Sequence, residues 1–88
     1  MSYLKPLATK VVTKHINIWD PMQLIEMGAP PDEYEEEVEK VVNTILENED
    51  EIQLAESIVE SFKYTFGREL DFNKTLIIAK NIWKELYE

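Results

Sequence analysis

The stretch WDPMQLIEMGAPPDEYEEE, Trp19 to Glu37, decides how the chain folds, because three of the four prolines and one of the two glycines fall within it. It predicts a corner between helices. Asp20 can accept from the first free N–H groups of a short helix beginning at Pro21, whose fixed φ suits the first helical position, and Gln23 completes a capping box. Trp19 and Leu24 then occupy the two positions of a hydrophobic staple. Gly28 ends this short helix, 21–27, and Pro30-Pro31-Asp32 opens the next one.

Working outward toward the N-terminus, Leu4, Leu7, Ala8, Val11, Val12, Ile16 and Trp19 recur at the spacing of an amphipathic helix. Pro6 fits only in a first turn, which places this helix at about 5–17. Beyond the corner, Tyr34, Val38, Val41, Val42, Ile45 and Leu46 trace one stripe of a helix over 32–47, with acidic residues crowded at its start, where the helix dipole favours them. Asp50 and Gln53 offer another capping box for a helix over 51–66 that carries Ile52, Ala55, Ile58, Val59, Phe62 and Phe66 inward. Gly67 is its terminator. Asp71 caps a last helix, 72–87, with Leu76, Ala79, Ile82, Trp83 and Leu86 on one face. No stretch alternates with period two. The expectation is an all-α single domain, 1–88, of four main helices plus the short one at the corner, with neighbours joined by short links and packed antiparallel.

Composition narrows the function. With no cysteine among 88 residues, disulfide frameworks, zinc ribbons and thiol catalysis are excluded. No run approaches the ~18 apolar residues of a membrane span, and the N-terminus lacks a leader's apolar core, so a cytoplasmic location is expected. The net charge of -9 is unevenly spread: residues 32–60 carry twelve acidic side chains against Lys40 alone. A block of that sign repels phosphate, which argues against nucleic acid and anionic membrane, and it reads either as a solvated helical face or as a docking surface for a basic protein.

Little catalytic equipment is present. His15 sits on the apolar stripe beside Val11, Val12, Ile16 and Trp19, the setting of a hydrogen-bonded residue at a core edge. Glu33/Glu37 and Glu35/Glu39 share helix faces, but a di-iron bundle needs Glu-x-x-His pairs and the chain has none. The link Glu47 to Glu51 lacks the glycine and ligand spacing of a calcium loop. Glu36 and Lys40, four apart, read as an ordinary helix ion pair. No catalytic residue, cofactor or metal ligand is predicted. Tyr64 and Tyr87 fall beside the apolar stripes and are expected to be partly exposed.

The run WDPMQLIEMGAPPDEYEEEVEKVV, with FKYTFG and IAKNIW further on, resembles the YugE-like family of small helical bacterial proteins. The match runs the full length of the chain. Trp19, Asp20, Pro21, Leu24, Gly28, Ala29, Pro30, Asp32, Glu33, Tyr34, Glu37 and Val38 carry it. The resemblance implies a compact cytoplasmic helical domain without an assigned activity, whose shared polar residues would be Asp20, Asp32, Glu33 and Tyr34.

Two functional readings follow. In the first, the chain is a non-catalytic interaction module, monomer or homodimer, whose 32–60 hairpin presents Glu35, Glu36, Glu39, Glu56 and Glu60 to a basic protein. In the second, Asp20, Asp32, Glu33 and Tyr34, joined by His15, form a polar pocket of a ligand-binding domain or enzyme subunit. Convergence of those side chains on a cavity would favour the second, and capping bonds to neighbouring backbone would favour the first.

Overall fold

The apolar stripes form four helices: α1 (Leu4–Trp19), α2 (Glu35–Ile45), α3 (Glu51–Phe66) and α4 (Phe72–Tyr87). The structure, a computed structural model, describes residues 4–87. Among these there is no strand. Each helix packs on two neighbours, α1 on α2 and α4, and α3 on α2 and α4, so the bundle closes as a ring around one core. The radius of gyration is 12.0 Å, close to the ~12 Å expected of a single globular body of this length.

Ala8, Val11, Val12 and Ile16 of α1 meet Val38, Val41, Val42 and Ile45 of α2, Leu54, Ala55, Ile58 and Phe62 of α3, and Ala79 and Ile82 of α4. Three residues on the predicted stripes stay outside: Leu7 in the first turn of α1, and Leu46 and Ile52 flanking the α2–α3 link, where the helix ends leave the core.

The two later caps form as their sequences predict. Asp50 Oδ1 accepts from the Gln53 N–H at 2.9 Å, while Gln53 Oε1 takes the N–H of Glu49, one residue earlier than a strict capping box requires. Asp71 Oδ1 accepts from the Lys74 N–H at 3.0 Å and starts α4. Gly67 closes α3 in the left-handed region, at φ 67°.

The corner differs. Residues 21–27 form turns rather than the short helix expected from Pro21. The reason lies in two backbone torsions: Asp20 sits at φ 51° and Gln23 at φ 59°, both left-handed, so no helix can run through them. Asp20 acts as the terminator of α1, its N–H bonded to the Ile16 carbonyl at 2.7 Å, and α1 therefore continues two residues past its expected end. Downstream, the Ala29 N–H bonds the Leu24 carbonyl and the Gly28 N–H bonds the Ile25 carbonyl, the paired bonds of a Schellman closure with Gly28 at φ 102°. Gly28 thus ends a single turn. Trp19 and Leu24 are half-buried against the core. Helix α2 begins at Glu35, three residues later than expected, because Pro30 to Tyr34 are taken up in two successive i to i+3 turns.

Candidate functional site

Asp20 and Tyr34, fourteen residues apart, are brought together by the corner. The Tyr34 ring is buried against Phe62 and Phe66, with centroids 5.6 and 6.4 Å away. Its hydroxyl donates to Asp20 Oδ1 at 2.6 Å and accepts the N–H of Met22 at 3.1 Å, with that of Leu24 at 3.4 Å. Asp20 Oδ1 also accepts from the Ile25 N–H and Oδ2 from the Glu26 N–H, at 3.1 and 2.9 Å. One carboxylate and one phenol thereby satisfy four N–H groups of a loop that has no helix to satisfy them. Asp32 and Glu33 are exposed and take no part in this network. His15 lies elsewhere: its Nε2 is 2.8 Å from Glu85 Oε1 on α4, and Lys14 donates to the other oxygen of the same carboxylate at 2.6 Å.

The bonds reset both groups' acidity. Burial pushes the Asp20 carboxyl up, but the Tyr34 hydroxyl and the N–H groups of Glu26, Ile25 and Leu24 together hold it below its ordinary value. The Tyr34 hydroxyl is pushed up to about 12 by burial and by its bond to Asp20. The stability that Asp20 contributes is therefore complete above the ordinary carboxylate range, roughly pH 4, and is lost as pH falls through its folded value. Tyr34 contributes below roughly pH 10 and loses its share as pH rises toward 12.

This geometry alters what Asp20→Asn should do. A simple helix cap tolerates asparagine. Here both carboxylate oxygens accept, and an amide turns one acceptor into a donor facing an N–H or the Tyr34 hydroxyl, so a loss of roughly 1–3 kcal/mol at neutral pH is expected. The variant should also lose part of the parent's acid sensitivity below about pH 4. Thermal melts of both proteins from pH 7 to pH 3 check this, and superimposable profiles would remove the carboxylate from the corner's stability.

The five glutamates assigned to one interaction face are all exposed, yet α2 divides them. Glu35 and Glu39 line a groove of about 460 Å³ between α1 and α2. Glu56 and Glu60 line a shallower groove between α2 and α3, with Lys40, Thr44, Ser57 and Tyr64 among its other walls. Glu36 stands one turn before Lys40 on the row bordering that second groove. Lys40 does not pair with Glu36: its Nζ lies 4.0 Å from the centroid of the Tyr64 ring and donates to Thr65 Oγ1 at 3.3 Å. Among the described residues the only ion pair between a lysine or arginine and a carboxylate is that of Lys14 with Glu85, whose other oxygen meets His15.

Glu37 departs most from the sequence reading. It belongs to the acidic run, yet only 2% of it is exposed and its Oε1 has no hydrogen-bond partner, while its backbone carbonyl accepts from the Ser61 hydroxyl at 3.2 Å. The signal was present in the spacing: Glu37 is three residues after Tyr34 and four before Val41, squarely on the apolar stripe. Its charge argued against burial, and position prevailed.

A family model described as a domain of unknown function, DUF1871, matches residues 11–84. No curated protein and no solved structure matches the chain.

Proposed function

We propose that this chain, which belongs to the DUF1871 family of domains of unknown function, is a small non-catalytic interaction module that receives a basic protein surface along α2 and α3. The observation that carries the reading is that Glu56 and Glu60 line the α2–α3 groove, with Glu36 exposed one turn before Lys40 on α2, and none of the three is engaged in an ion pair among the described residues. Tyr64, 81% exposed on the same groove, supplies an aromatic anchor of the type that concentrates binding energy at interfaces. Against a polar pocket at the corner stands the use of Asp20 and Tyr34, whose oxygens are occupied by each other and by loop N–H groups. The finer assignment to the YugE-like proteins, with its bacterial and cytoplasmic setting, rests on the Trp19-to-Val38 motif. A monomer or homodimer suits a module of this size.

Exposed complementary charges act chiefly on encounter rates. The expected result is a basic partner retained on the immobilised protein at low salt and released as the Debye length shrinks. Replacing Glu36, Glu56 and Glu60 with glutamine should slow its association about tenfold and flatten the salt dependence, with the melting temperature unchanged or slightly raised. A partner whose association rate ignores both salt and the triple substitution contradicts the proposal.

A further inference from the structure

The groove between α1 and α2 has a different chemistry from the acidic face. Its α1 wall is the row Lys5, Thr9, Thr13 and Asn17, four residues apart, in which the two threonines leave a gap that larger side chains would fill. Its floor is Tyr34, Val38 and Val42, all buried in the core cluster. A volume of about 460 Å³ lies within the range of small-molecule sites, which runs from roughly 300 to 1,000 Å³.

Polarity is graded along the groove. The Asn17 Nδ2 donates to the Pro31 carbonyl at 2.8 Å, which ties the last turn of α1 to the chain just ahead of α2 and places Asp32 and Glu35 at the Asn17 end of the groove. That bond also fixes the amide's orientation, since the reverse would oppose two oxygens, and it leaves Asn17 Oδ1 buried, without a donor and closed to the groove. Lys5 lies at the opposite end, in the first turn of α1. Asp32, Glu35 and Glu39 outnumber it on the rim.

We propose that this groove binds a small amphipathic organic cation, its ammonium or amidinium head at the Asp32 and Glu35 carboxylates and its apolar body along the groove between the Thr9 and Thr13 side chains and α2. Charge complementarity selects the head. The acidic rim attracts a cation, the Asp32 and Glu35 carboxylates are in no ion pair among the described residues, and Lys5 repels a cation from the other end, which orients the ligand. The methyls of Thr9 and Thr13 and the aliphatic stem of Glu39, closed beneath by the buried Val38 and Val42, flank the apolar body. This inference is independent of the α2–α3 interaction reading, which is tested on Glu36, Glu56 and Glu60.

The experiment is an amide-resolved NMR titration of the full chain with 4-phenylbutylamine, with 4-phenylbutanol and 4-phenylbutyrate as neutral and anionic counterparts. The amine should shift Thr13, Asn17, Val38 and Val42 and bind about tenfold more tightly than the alcohol, with the carboxylate weakest. Asp32→Asn combined with Glu35→Gln, both at exposed positions, should bring the amine down to the affinity of the alcohol while leaving the alcohol unchanged. Thr13→Trp, which fills the groove, should abolish all three. The proposal is overturned if the amine shifts none of these residues at millimolar concentration, if the carboxylate binds as well as the amine, or if the double variant binds the amine like the parent. Should Thr13→Trp fail to fold, the double variant and the charge series still decide.

Discussion

Tyr34→Ala is expected to destabilise the protein by about 3–5 kcal/mol, the cost of deleting a large ring from a close-packed interior. The ring is 1% exposed and holds Phe62 and Phe66 on one side while its hydroxyl closes the corner on the other. Tyr34→Phe separates the two roles. It keeps the ring but leaves Asp20 Oδ1 without its shortest bond and removes the acceptor of the Met22 and Leu24 N–H groups, a loss of roughly 1–3 kcal/mol. For a domain of this size each kcal/mol lowers the melting temperature by about 4–8 °C, so the variants should separate clearly in a thermal scan. If phenylalanine melted with the parent, the hydroxyl network would be incidental to stability, and the corner would owe its shape to packing alone.

Phe62→Ala should cost about as much, roughly 3–5 kcal/mol. Its ring is fully buried, stacks on Phe66 at a centroid distance of 5.7 Å and meets Tyr34 at 5.6 Å, so truncation opens a cavity where α2, α3 and the corner meet. That is a large share of the 5–15 kcal/mol typical of a folded domain. Tyr64→Ala, two positions along α3, is the built-in comparison: the side chain is exposed and loses little beyond its contact with Lys40, about 0.5–1 kcal/mol. Denaturant unfolding of both variants checks the contrast. Comparable losses from the two would mean that α3 is rotated from the orientation described here.

Much of the architecture was legible because it depends on short-range rules. The apolar spacing of Val38, Val41, Val42 and Ile45, or of Ala55, Ile58 and Phe62, follows from the 3.6-residue period of a helix whatever surrounds it. Asp50, Asp71 and Gly67 end helices through bonds that span no more than four residues, so α3 runs over the predicted 51–66 and α4 over the predicted 72–87. Tyr64 and Tyr87 are exposed because they fall beside the stripes.

At the corner the same local rules misled. Asp20-Pro21-x-Gln23 satisfies the pattern of a capping box, and a local reading assigns Asp20 to the helix ahead of it. In the folded chain Asp20 ends the helix behind it and reaches fourteen residues forward to Tyr34. That preference is not encoded in the corner by itself, because burial of the Tyr34 ring among Phe62 and Phe66 is what delivers its hydroxyl to the loop. Glu37 obeys the same logic, carried inward with a stripe whose combined burial outweighs one carboxylate. The division of the acidic face into two grooves also awaited tertiary structure, since it depends on which neighbours flank α2. Sequence alone determined the all-helical class, the extents of α3 and α4, and the excess of acid in residues 32–60, since each rests on composition or on contacts within a turn or two. The bonds of the Tyr34 hydroxyl at the corner, the burial of Glu37 and the groove beneath Asn17 were decided only when distant helices packed, because their energies come from groups that the chain brings together across ten or more residues.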